Sequence, residues 1–290
     1  MKKPVIPIVF STDNNFVPYC GVAISSLTHH TSFDVDYNIF VFHTELSEYS
    51  IRRLESLSYL NIKVECVNVT KYLSKVKLYT MHHFSEATFY RIVIPEVFSH
   101  YTRVLYLDCD LIVLSDVKEL YDMDLNRNVL GVCRRKNLSR IEDYVINKLN
   151  LTAIEYFNAG VLVFNIKYFI EEQIKEKCYN LINHGLKYDY VDQDVLNIVC
   201  RNKIEILPAE WNYLSNYDDI ENNNIKPKIL HYVTAEKPWC FPNVPNAKVF
   251  WKVARKTKFF YEILLKHINC DVDTFELNLY KEYENALTKD

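Results

Sequence analysis

Glycine is scarce in this chain: its 290 residues include four, Gly21, Gly131, Gly160 and Gly185. Neither a G-x-G-x-x-G dinucleotide loop nor a Walker A loop can be built from them, so a bound diphosphate would have to be neutralised by a metal and side chains. Paired cysteines are missing as well. The eight cysteines (Cys20, Cys66, Cys109, Cys133, Cys178, Cys200, Cys240 and Cys270) form no C-x-x-C pair, which predicts reduced thiols in the cytoplasm. The sequons at Asn68, Asn137 and Asn150 then carry no glycan. No stretch reaches the roughly eighteen uninterrupted apolar residues of a membrane span. The run after Met1-Lys2-Lys3-Pro4 is broken by Pro7 and too short for a signal peptide. The expectation is a soluble protein, or one peripheral at the inner face of a membrane. Nor is there an excess of one charge: the net value is −3, so no global field recruits nucleic acid.

At 49% hydrophobic and 24% charged, the chain can bury the core of one large α/β domain. Strand-like runs at 5–11, 37–42, 62–69 and 103–107 alternate with helix-like runs at 17–29, 47–57 and 87–94, where Pro95 is expected to end or kink the helix. A buried strand at 160–165 and a helix at 168–183 follow. This alternation predicts a mostly parallel, twisted sheet with helices on both faces. Without a Gly/Ser-rich linker, residues 1–247 read as one domain. Residues 248–290 follow as a basic, aromatic helix and an acidic tail from Asp271.

Such sheets bind ligands at the carboxyl edge of their strands. Two polar clusters fall there: Ser11-Thr12-Asp13-Asn14-Asn15 after the first strand, and Asp108-Cys109-Asp110 after the apolar Val104–Leu107. Period-two geometry turns Asp108 and Asp110 to one side, where their repulsion is relieved by a divalent cation between them. Hard oxygen ligands suit Mn²⁺ or Mg²⁺. The bland reading of such a D-x-D is a strand-terminal turn with solvated carboxylates. His231, opening His231-Tyr232-Val233-Thr234-Ala235-Glu236-Lys237-Pro238-Trp239, supplies a third candidate ligand, and Lys237 a point charge for a phosphate.

The Leu107-Asp108-Cys109-Asp110 core, Phe157-Asn158-Ala159-Gly160-Val161, Asp192-Gln193-Asp194 and the His231-Tyr232…Lys237-Pro238-Trp239 stretch occur in this order. Together they resemble glycosyltransferase family 8, over about Ile8 to Trp239. The resemblance implies a GT-A fold, a UDP-glucose or UDP-galactose donor, Mn²⁺ (or Mg²⁺), and retention of anomeric configuration. It implies Asp108, Asp110 and His231 as metal ligands, with Cys109 beside them at the donor. Ser11, Thr12, Asp13 and Asn15 would hold the nucleoside, and Phe16 stands where the family commonly has a tyrosine against the uracil. Arg91 would contact the donor. Asn158, Ala159, Asp192 and Gln193 would line the sugar pocket, and Lys237 would stabilise the leaving diphosphate. Taken singly, each has a plainer reading: a helix cap for Asp13–Asn15, a surface ion pair for Arg91, a turn for Asn158–Gly160, and a helix start for Asp192 and Asp194.

Thr234 stands where the family often has glycine, so the loop is expected to take a different path. Gln193 is, by similarity, the side chain behind the anomeric carbon, and an amide is a poor nucleophile. The expected mechanism is therefore attack on the face the leaving group departs from. The acceptor is expected to be a saccharide or lipid-linked saccharide, such as a cell-surface (lipo)oligosaccharide. Residues 248–268 would either touch an anionic membrane or pack on the domain. Two rivals are a sugar nucleotidyltransferase, against which the absent Gly-rich loop counts, and a non-catalytic nucleotide-sugar or carbohydrate-binding protein. A metallohydrolase is a third, with too few placed histidines.

Overall fold

The computed structural model describes residues 3–79, 85–134, 141–152, 154–185, 187–215, 225–241 and 243–269. In chain order the elements are β1 (Val5–Ser11), α1 (Val17–Thr28), β2 (Asp36–His43), α2 (Glu48–Glu55) and β3 (Ile62–Asn68). A 3-10 segment, Glu86–Val93, leads into α3 (Ile94–Val97), followed by β4 (Arg103–Leu107), β5 (Leu111–Val113), α4 (Lys118–Tyr121), β6 (Leu130–Arg134), α5 (Glu142–Asn147) and β7 (Phe157–Asn165). Then come α6 (Ile166–Glu171), α7 (Ile174–Asn183), α8 (Val191–Val199), β8 (Ile204–Leu207), a 3-10 turn Ala209–Asn212, β9 (Tyr213–Leu214) and β10 (Ile229–His231). Two helices close the described chain, α9 (Ala247–Ala254) and α10 (Phe260–Asn269).

The main sheet has seven strands in the order β3-β2-β1-β4-β7-β6-β8. All neighbours are parallel except β7, which runs antiparallel to both β4 and β6. Period-two alternation divides the core. Ile6, Ile8 and Phe10 of β1, with Leu105 and Leu107 of β4, pack on the face covered by α1, α2, α9 and α10. Val9, Val104 and Tyr106 point to the other face, beneath the 3-10 segment and α5 to α8. The mostly parallel α/β sheet expected from the sequence is thus observed.

Several local expectations need correcting. Residues 86–93 form a 3-10 segment rather than an α-helix. Pro95 does not end a helix but lies in the first turn of α3, where its missing N–H has no intrahelical partner to lose. The helix expected over 168–183 is two helices, α6 and α7, separated at Gln173, whose φ is 53°. Strand β7 begins at Phe157, so Asn158 to Gly160 lie within a strand, not in a turn before one. Residues 248–268 divide into α9 and α10, with Phe250, Ala254, Phe259 and Ile263 buried in the domain core. The tail from Asp271 lies outside the described residues.

A second, three-stranded sheet in the order β5-β10-β9 positions the site. β5 follows the D-x-D directly, and antiparallel pairing sets His231 opposite Leu111. The pairing carries a histidine 121 residues away in sequence to the mouth of the main sheet.

Candidate active site

The carboxyl ends of β1 and β4 open into a cavity of about 490 Å³. Its wall includes Ser11, Thr12, Asp13, Asn15, Phe16, Arg91, Asp108, Cys109, Asp110, Asp192, Gln193, His231 and Lys237. Asn158 and Ala159 are not on it; they sit one layer beneath. Asp13 Oδ1 accepts from the backbone N–H groups of Asn15 and Phe16, at 2.9 and 3.0 Å, which turns the chain from β1 into α1 without a capping side chain on the helix itself. Ser11 Oγ is buried here without a protein partner. Phe16 meets Tyr19 and Trp239 edge-on, at ring-centroid distances of 5.3 and 6.2 Å.

Asp108, Asp110 and His231 each offer a ligand atom within 4.8 Å of the others. Two carboxylates and an imidazole form a donor set suited to Mn²⁺ or Mg²⁺. Asp110 Oδ1 lies 3.0 Å from His231 Nε2, and its Oδ2 lies 2.5 Å from Lys237 Nζ. Burial alone would raise this carboxyl, but Lys237 and His231 hold it well below the usual carboxylate range. Lys237 also donates to the Tyr232 carbonyl. Thr234 is not among the described residues with positive φ, so its Cβ is accommodated without strain.

Gly160 is required here for space rather than for an unusual φ. A Cβ at that position would lie 2.1 Å from His231 Cε1 and 2.6 Å from Asp108 Oδ2.

Arg91 binds the two halves of the site together. Its guanidinium is 4% exposed. Nη2 donates to Asp108 Oδ1 at 2.9 Å, Nη1 to the Ala159 carbonyl, and Nε to Thr88 O at 2.8 Å. Asp192 Oδ2 lies 2.9 Å from Nε. Burial pushes the Asp192 carboxyl up to about 7; Arg91 opposes that rise and Asp108 adds to it. The ring of Tyr106 lies 4.3 Å from the guanidinium carbon, and its hydroxyl donates to Asp108 Oδ1 at 2.7 Å.

Behind Asp192 the wall is made of amides, hydroxyls and the Asp194 carboxyl. Gln193 Oε1 accepts from Asn158 Nδ2 at 3.0 Å and from the Ala159 N–H at 3.1 Å. Gln193 Nε2 donates to the Tyr156 hydroxyl, which in turn donates to Asp194 Oδ1 at 2.6 Å. Asp194 also accepts from Tyr144 and from the Tyr190 N–H. Cys109, between the two aspartates, is buried with Sγ 3.1 Å from Ser11 O, and burial keeps it a thiol.

Sequence reasoning missed Tyr106, Tyr156 and Asn212 altogether and gave Asp194 no role beyond its motif. Tyr106 had a readable signal, since it precedes Asp108 by two residues and so shares its side of the strand. Asn212 is a lone amide in Trp211-Asn212-Tyr213, a polar residue set among buried aromatics.

The sequence profile of Glycosyl transferase family 8 matches residues 7–241. The chain is 26% identical to the lipopolysaccharide 1,2-glucosyltransferase of Escherichia coli K12, covering 83% of this chain and 76% of that one. It is 27% identical to the lipopolysaccharide 1,3-galactosyltransferase of Salmonella typhimurium, covering 80% and 72%. Among solved structures, the galactosyltransferase LgtC with donor and acceptor sugar analogues superposes at a TM-score of 0.68, with 25% identity, over 87% of this chain and 96% of that one. The bifunctional glycosyltransferase WbbM superposes at 0.78, with 27% identity, over 91% of this chain but 52% of its own. A GT-A fold with an Asp-Asp-His cluster at its sheet edge, and a family profile spanning most of its length, establish that this chain belongs to glycosyltransferase family 8.

Proposed function

We propose that this protein is a retaining hexosyltransferase. It takes glucose or galactose from UDP-glucose or UDP-galactose and delivers it to a saccharide acceptor, namely a cell-surface (lipo)oligosaccharide. The observation carrying this reading is the Asp108–Asp110–His231 cluster beside the Lys237 ammonium on one cavity wall. The names of the two lipopolysaccharide transferases support transfer of glucose or galactose to an acceptor of that class.

Asp108, Asp110 and His231 would hold Mn²⁺ or Mg²⁺, which when bound supplies the positive charge that neutralises a diphosphate. Lys237, buried against Asp110, adds a second cation for the charge that develops on the leaving UDP. Ser11 to Phe16 form the nucleoside end of the cavity, with Phe16 giving a flat face without a phenolic hydrogen bond. Asp192, fixed by Arg91, presents an acceptor for a sugar hydroxyl.

Of the polar groups nearest the sugar end, Gln193 is an amide and a poor nucleophile, and the Asp192 carboxyl is held against Arg91. Gln193 Oε1 already accepts two hydrogen bonds, and Asp194 accepts three. On this reading the carbon–oxygen bond to the phosphate breaks as the acceptor oxygen attacks from the same face. Its proton passes to the leaving phosphate oxygen. Mass-spectrometric capture of a glycosyl adduct on Gln193 or Asp192 would refute this route.

No described helix is long and apolar enough to cross a membrane. On α10, however, Tyr261, Leu265 and Ile268 are exposed at i, i+4 and i+7 spacing beside Lys258 and Lys266. The reading therefore includes peripheral contact with an anionic inner membrane surface, where a lipid-linked acceptor would lie. Failure to float with phosphatidylglycerol vesicles would remove that part.

The decisive measurement is UDP release from UDP-glucose and UDP-galactose with Mn²⁺, for the wild type and Asp110→Ala. Metal-dependent hydrolysis that the substitution abolishes supports the reading. Absence of both hydrolysis and metal-dependent UDP binding in the wild type would overturn it.

A further inference from the structure

Beneath the cavity runs a continuous line of amide hydrogen bonds whose direction two backbone groups determine. Side-chain amide oxygen and nitrogen must be assigned from their partners, but a backbone N–H can only donate. Gly160 N–H donates to Asn158 Oδ1 at 3.0 Å, and Ala159 N–H donates to Gln193 Oε1 at 3.1 Å. These two consecutive donors on β7 fix both atoms as oxygens. Asn158 Nδ2 is then left to donate to Gln193 Oε1, as observed at 3.0 Å.

The consequence on the other side is for Asn212. Because Asn158 Oδ1 is an acceptor, the Asn212 atom 2.9 Å from it must be Nδ2. Asn212 Oδ1 is thereby turned towards His231 Nδ1, 2.8 Å away. A carbonyl oxygen there accepts a hydrogen bond from Nδ1–H and cannot donate one. Nε2 is left as the nitrogen facing Asp110 Oδ1 at 3.0 Å and Asp108 Oδ2 at 3.8 Å. Asn212 and His231 are 4% and 1% exposed, so no competing water reorients either group freely.

We infer that Asn212 is a positioning residue for the metal site: it pins the His231 ring and its Nδ1–H tautomer, so that Nε2 presents its lone pair to a divalent cation. This rests on the metal reading of Asp108, Asp110 and His231 given above. The outer partner of a metal-binding histidine typically sets both its orientation and its basicity, and losing it weakens metal binding by about 10–100-fold. The same polarity orients Gln193, so one pair of backbone donors organises both ends of the site.

The test is Mn²⁺ binding to the full chain by isothermal titration calorimetry without nucleotide, on wild type, Asn212→Leu and Asn212→Asp. Asn212→Leu keeps the branched shape, though not the volume, and removes the acceptor, so its Mn²⁺ affinity should fall about 10–100-fold. Asn212→Asp restores an acceptor for Nδ1–H but sets its second oxygen against the Asn158 Oδ1 acceptor, so it should recover part of the loss, which a purely packing role would not predict. Equal affinity in wild type and a folded Asn212→Leu would overturn the inference while leaving the metal site standing. No Mn²⁺ binding by the wild type would overturn the metal reading and this inference together. Should Asn212→Leu not fold, ¹⁵N spectra of histidine-labelled wild type with Mg²⁺ decide, with His231 assigned by its loss in His231→Gln. A proton on Nδ1 with Nε2 bare supports the inference, and a proton on Nε2 with Nδ1 bare refutes it.

Discussion

Asp110 and Asp194 are carboxylates serving the same cavity, one on its wall and one behind Gln193, and their surroundings differ in kind. Asp110 faces the Lys237 ammonium at 2.5 Å and the His231 ring nitrogen Nε2 at 3.0 Å. Asp194 faces neutral donors, the hydroxyls of Tyr144 and Tyr156, both at 2.6 Å, and the Tyr190 N–H at 3.0 Å. The first carboxyl is held below its usual range by Lys237 and His231, and the second is pushed upward by burial. One wall stores opposed charges that a metal and a diphosphate can rearrange. The other is a saturated frame that has nothing to gain from a ligand except contact. On the proposed reading metal binding and sugar positioning lie on different walls, bridged by Arg91 and by the Gln193–Asn158–Asn212 amides.

The most direct way to break this contrast is Asp110→Ala. It removes a candidate metal ligand and leaves the buried Lys237 ammonium unpaired. Loss of one preorganised electrostatic group costs about 10²–10³ in rate, and an uncompensated buried charge costs about 3–5 kcal/mol. UDP release should fall below detection, with a lower thermal midpoint. Asp110→Asn should lose the same activity with a smaller drop in midpoint. Activity near the wild-type level in either variant would show that Asp110 is not part of the chemistry.

Gly160→Ala should strike the same wall through sterics alone. The added methyl would meet His231 and Asp108 at 2.1 and 2.6 Å, and crowding of this kind costs about 1–3 kcal/mol. Mn²⁺ affinity by calorimetry should fall at least tenfold. An unchanged affinity would mean that His231 and Asp108 can shift without cost, and that the site is looser than its packing suggests.

Tyr156→Phe sharpens the other side. It deprives Asp194 Oδ1 of a donor and Gln193 Nε2 of its acceptor, a loss of about 1–3 kcal/mol. The expected signature is a several-fold lower kcat with Mn²⁺ affinity unchanged. If metal affinity falls as well, the two walls are not separable.

Much of this organisation was legible beforehand. Strands β1, β2, β3 and β4 announced themselves through β-rich runs bounded by polar turns, and Asp108 and Asp110 through their place at the end of an apolar strand. The Glu86–Val93 segment was not, because a 3-10 segment and an α-helix bury similar positions over so few residues. Asn158 was expected on the sugar wall, but that its amide joins Gly160, Gln193 and Asn212 was not foreseen. Asn212 itself was invisible, since its partners lie 54 and 19 residues away. Periodicity reports which face a residue occupies, not which atom of an amide turns towards which neighbour. That information appears only once β7, β9 and β10 are assembled.

The mildest perturbation concerns the bridge. Asp192 sits between the two walls, its carboxyl raised to about 7 chiefly by burial. An unfolded aspartate titrates near about 4. Between these values the folded protein binds more protons than the unfolded chain, so stability falls as pH rises from about 4 towards 7. The contribution is complete below the unfolded value and gone above the folded one. In Asp192→Asn this slope should vanish while the slopes from other groups remain. Thermal midpoints of the metal-free protein, taken across pH 4.5 to 7.5, should therefore fall less steeply in the variant. Parallel curves would mean that Arg91 holds Asp192 ionised throughout, which would place Asp192 with Asp110 among the charges rather than between the two walls.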